Sequence, residues 1–72
     1  MEQQTAINAL ISIMNDVRTH LTVRVGAARG LGRISTAEVR AELAKVMTDT
    51  RTQQELRAAA AEALGAARET LK

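Results

Sequence analysis

The chain has 72 residues, 14 of them Ala, and ten Lys and Arg against eight Asp and Glu give a formal net charge of +2, so one small domain is the upper bound. Phe, Trp, Tyr, Cys and Pro are absent, which excludes disulfides, cysteine-ligated metal and aromatic stacking on nucleic-acid bases. So small a basic excess is no nucleic-acid signature, and no run of about 18 apolar residues exists to span a bilayer as a helix.

Four helices are predicted in chain order. The first spans 2–16, with Ala6, Leu10, Ile13, Met14 and Val17 at helical spacing. The second spans 20–34 on Val23, Ala27, Leu31 and Ile34, with Thr19 as its expected N-cap. The third spans 36–48 on Val39, Leu43, Val46 and Met47, opened by a capping box of Ser35 and Glu38. The fourth spans 53–71 on Leu56, Ala60, Leu64, Ala67 and Leu71, opened by Thr52 and Glu55. The connections are short, so consecutive helices should run antiparallel.

The third and fourth helices repeat the first and second. A shift of 33 positions sets Leu10 on Leu43, Met14 on Met47, Asp16 on Asp49, and Arg18-Thr19 on Arg51-Thr52. It also sets Arg24 on Arg57, Ala27-Ala28 on Ala60-Ala61, and Leu31-Gly32 on Leu64-Gly65. Repeats of this length mark stacked helical units. One domain over 1–72 is expected, divided into repeats 1–34 and 35–72. Gly26, Ala27 and Gly30, and then Ala59, Ala60 and Ala63, give each second helix a small-residue side. Glycine inside a helix costs about 0.5–1 kcal/mol relative to Ala. Its recurrence at Gly32 and Gly65 therefore predicts close approach of a neighbouring helix.

The run Val23-Arg24-x-x-Ala27-Ala28-x-x-Leu31-Gly32-x-Ile34, repeated as Leu56-Arg57-x-x-Ala60-Ala61-Glu62-Ala63-Leu64-Gly65, resembles the second helix of a HEAT-like repeat of the short, bilin lyase type. The aromatic and Thr-Pro-Leu-His signatures of tetratricopeptide and ankyrin repeats are missing. The resemblance implies an all-α fold of two stacked helical hairpins, a solenoid fragment. It also implies that Asp16 with Arg24, and Asp49 with Arg57, form an inter-repeat ladder.

Little in the chain suggests chemistry. His20, the only histidine, is replaced by Gln53 in the second repeat, and Ser12 and Ser35 have no base arranged nearby in sequence. No enzyme activity, cofactor, metal or small-molecule substrate is expected. Arg29 and Arg33 share an exposed face, but their counterparts are Glu62 and Ala66, so the basic feature stops after one repeat. Solvated surface charge is thus the plainer reading of this pair, and a docking patch for an acidic protein surface or for nucleic-acid phosphate is the alternative. Ile7 and Ile11 lie off the shared stripe and are replaced by Arg40 and Ala44. The first helix is thereby apolar nearly all round, and such helices are covered on more than one side. Ile7, Ile11 and Met14 are accordingly expected in contact with a second chain, as a dimer or larger assembly. The polar end Arg68, Glu69 and Lys72 reads as a cap. The expected role is a protein-interaction or scaffold module, self-associating or part of a longer solenoid. An accessory repeat of a lyase-like enzyme is implied by the resemblance alone. The start Met-Glu-Gln-Gln lacks the basic region of a signal peptide. A cysteine-free chain fits a reducing compartment, so a cytoplasmic location is expected.

Overall fold

The computed structural model describes residues 2–34 and 36–69, with side chains over 3–34 and 36–66. The elements are α1 (Glu2–Asn15), α2 (Leu21–Leu31), α3 (Ala37–Thr48) and α4 (Gln54–Glu69), with no strand among the described residues. α1 packs on α2 and α3 on α4, as two hairpins, and the hairpins meet mainly through α2 against α4.

The helix ends differ from the expected ones because the caps sit elsewhere. His20, not Thr19, is the residue before α2, and it makes no side-chain cap bond. Thr19 Oγ1 instead donates to Asp16 Oδ2 at 3.1 Å, inside the turn. Thr36 caps α3, its hydroxyl accepting from Val39 N at 3.1 Å; Ser35 lies outside the described residues. Thr52 also belongs to a turn, its N–H donating to the Asp49 carbonyl at 3.0 Å. α2 stops at Leu31, and the N–H groups of Arg33 and Ile34 bond back to the carbonyls of Gly30 and Leu31. The expected extension of α4 to Leu71 runs beyond the described residues.

The core holds Ile7, Met14, Ala27, Ala28, Leu31, Val39, Leu43, Val46, Leu56, Ala59, Ala60 and Ala63. With no aromatic ring to fill space, close backbone approach supplies the contact. Gly32 shows this directly. A Cβ placed there would lie 2.8 Å from the Ala63 Cβ and 2.9 Å from its Cα, so only glycine lets α4 come this near.

The burial of α1 corrects the expected stripe. Ile7 is 2% exposed and Met14 is fully buried, with Ile11 half-buried against the core. Ala6, Ile13 and Val17 face outward instead. The counterpart stripe in the second hairpin is buried at the matching positions, Val39 and Val46. Among the described residues the first hairpin is packed by the second on its opposite side, so the other half of α1's apolar surface is buried. Ile7 and Met14 are therefore taken up by the chain's own fold and do not face a second chain.

Candidate interaction surfaces

Each hairpin presents two faces along the stacking direction. The one turned toward the start of the stack is called the head and the other the tail. In the second hairpin the head residues Val39, Val46, Leu56 and Ala59 are buried. Their counterparts in the first, Ala6, Ile13, Val23 and Gly26, are exposed. Ile13 is 36% exposed where Val46 is 6%, and Val23 is 51% exposed where Leu56 is 0%. The tail shows the reverse. Ala28, Leu31 and Gly32 are buried in the first hairpin, whereas Ala61 and Gly65 are exposed and Leu64 is half-buried in the second. Apolar and small residues thus stand open at both ends, where a finished solenoid carries polar caps. The side chains of the expected cap, Arg68, Glu69 and Lys72, lie outside the described residues.

The two glycines expected to admit a neighbour divide the same way. Gly32 has Ala63 against it, while a Cβ on Gly65 would meet nothing within 4 Å. Gly26 is equally open, and a Cβ on Gly30 would come only to ordinary contact, 3.7 Å from Leu10.

The charged residues organise the hairpins rather than the ends. Arg24, 9% exposed, donates through Nε to the Met14 carbonyl at 2.9 Å, and Arg57 donates to the Met47 carbonyl at the same distance. Each guanidinium therefore caps the C-terminal turn of the preceding helix, where the unsatisfied carbonyls and the helix dipole favour a cation. This replaces the ladder. Asp16 pairs with Arg18, and Asp49 with Arg51, within their own turns. The Asp Oδ1 accepts the backbone N–H two residues on, at 3.0 Å in both turns, a local bond that Asp forms readily. The Arg18 backbone N–H, then the Thr19 hydroxyl, hold the Asp16 carboxyl below its ordinary range. The Arg51 guanidinium, then its backbone N–H, do the same for Asp49. The carbonyls that accept from Arg24 and Arg57 carry no side-chain signature, so the sequence offered no sign of this capping.

Of the basic pair on α2, Arg29 lies 3.6 Å from Glu62 Oε1 across the α2–α4 seam, and Arg33 is exposed. An acid beside Arg29 weakens any phosphate clamp built on the two. Leu21, Val25 and Arg29 face Glu55, Ala59 and Glu62 across a shallow groove of about 420 Å³. His20 is exposed. Among the described residues no cluster of His, Asp and Glu has the makings of a metal site, and no helix is long and apolar enough to cross a membrane.

A protein-family model described as HEAT repeats matches residues 7–70. Neither a curated protein nor a solved structure matches the chain significantly.

Proposed function

Since the chain belongs to the HEAT-repeat family, whose members generally mediate protein–protein interaction or scaffolding without catalysis, we propose that it is a non-catalytic interaction module that works through the open ends of its stack. The observation that carries this reading is the exposure of Ile13 and Val23, whose equivalents Val46 and Leu56 are sealed in the same fold. Fully burying a Val or Ile side chain is worth about 1.5–3 kcal/mol, so even the exposed fraction of two such residues supplies useful affinity. The Arg29–Glu62 pair borders the α2–α4 groove, and the exposed Arg33 lines a neighbouring depression with the same pair; these charges would tune specificity for an acidic partner surface more than affinity.

The experiment is capture of binding proteins by immobilised wild-type chain and by an Ile13→Glu/Val23→Glu variant checked for helical content. Capture should be lost in the variant. Capture that survives this change, and a matching change at Leu64, would overturn the reading. Nucleic acid held with a steep loss of affinity in salt, and released by Arg29→Ala/Arg33→Ala, would favour the phosphate-binding alternative instead.

A further inference from the structure

Resting on that reading, we propose that the occupant of the head face is the tail face of a second copy of this chain, so that copies stack head to tail. The chain already contains one example of this contact, because the head of its second hairpin docks on the tail of its first. Two pairs of residues define that seam: Gly32 against Ala63, and Arg29 against Glu62 at 3.6 Å.

Moving both pairs on by 33 residues gives the contacts between copies. Gly65 of one copy then faces Gly30 of the next, and Glu62 of one copy faces Arg29 of the next. Opposite charges meet again, so Arg29 and Glu62 alternate along the stack as a continuous ladder. The approach is also open on both sides. A Cβ on Gly65 would meet nothing, and one on Gly30 would meet only the Leu10 side chain at 3.7 Å. Gly65 lies inside α4, where its cost to the helix finds no return among the described residues; a neighbouring helix seated as Ala63 is seated on Gly32 supplies one. The apolar contribution comes from Ile13 and Val23 on the head and from Met47, Ala61 and Leu64 on the tail, with Val23 half-exposed and Leu64 half-buried. Arg40 stands on the tail where the first hairpin has Ile7. The contact between copies is therefore less apolar than the internal one, and weaker.

Head and tail are different surfaces, so the contact is heterologous and does not close on itself as a pair. Sedimentation velocity from micromolar to submillimolar chain should show a weight-average mass that climbs past the dimer without a plateau. Ile13→Glu disables the head and Gly65→Leu the tail. Both changes lie at exposed positions, and circular dichroism checks that the helices persist; Val23→Lys replaces Ile13→Glu should the latter unfold. Each variant alone should stay monomeric. An equimolar mixture should form a heterodimer of twice the monomer mass and stop there, because its outer faces are both disabled. A wild-type chain that stays monomeric throughout overturns the proposal, as does a plateau at the dimer or a mixture that remains monomeric. A monomer that still captures another protein through Ile13 and Val23 overturns the second copy as occupant and leaves the interaction module standing. A monomer that captures nothing overturns both.

Discussion

Gly32 and Gly65 hold the same place in the two hairpins, and their surroundings are opposite. At Gly32 the α4 backbone lies where a side chain would begin; at Gly65 the space is open. The same contrast separates Leu56 from Val23, and Leu31 from Leu64. One local sequence, used twice, is buried or exposed according to its neighbour alone. The end faces are therefore not failures of the pattern but the pattern with a partner missing.

The sharpest way to break this comparison is to truncate equivalent core positions. Leu56→Ala should cost about 2–5 kcal/mol, enough to unfold much of a domain this small, whereas Val23→Ala should cost under about 1 kcal/mol. Denaturant titration at low chain concentration reads both, and equal losses would mean that the head faces are not differently covered. Next comes one substitution with two signs. Gly32→Ala forces a methyl into Ala63 and should destabilise by about 1–3 kcal/mol. Gly65→Ala should stabilise by about 0.5–1 kcal/mol by relieving a helix-interior glycine. A shared sign in thermal melts would refute the difference in approach.

A smaller effect should distinguish the capping arginines. Arg24→Met keeps much of the stem and removes the donor to the buried Met14 carbonyl, at a cost of about 1–2 kcal/mol. Arg57→Met should cost less, since that bond is only partly buried and water can replace the donor. The smallest effect should be the same in both hairpins. Asp16 and Asp49 have depressed carboxyl pKa values in the folded chain. Their contribution to stability is therefore complete above the unfolded carboxylate range, about pH 4, and is lost as pH falls through the lower folded values. Asp16→Asn and Asp49→Asn should each flatten that acid loss by similar amounts in melts followed from neutral to acid pH. Unequal flattening would show that the turns, too, sense the ends.

Much of the architecture is legible in the sequence. Ala-rich helices with apolar residues three and four apart specify amphipathic helices, and the 33-residue self-match specifies two similar hairpins. Gly32 was readable as a close approach because its cost must be offset. The helix ends were less legible. Asp16 and Asp49 draw Thr19 and Thr52 into turns, and a hydroxyl that can serve a turn or a cap has the same sequence signature in both. The site was the least legible part. Ile7 and Ile11 looked surplus because the second hairpin has Arg40 and Ala44 in their places, yet Ile7 is core and Ile13 is exposed.

The sequence by itself determined the local facts: which segments coil, which sides are apolar, and that the unit occurs twice. These depend on neighbours three or four residues away and on the chemistry of single side chains. The tertiary structure alone decided which apolar side is buried. α1 is apolar on two sides, and burial is a property of what packs against a surface. Among the described residues the second hairpin packs on one side of the first, so the free energy of burial goes to Ile7 and Met14, and Ile13 and Val23 stay exposed.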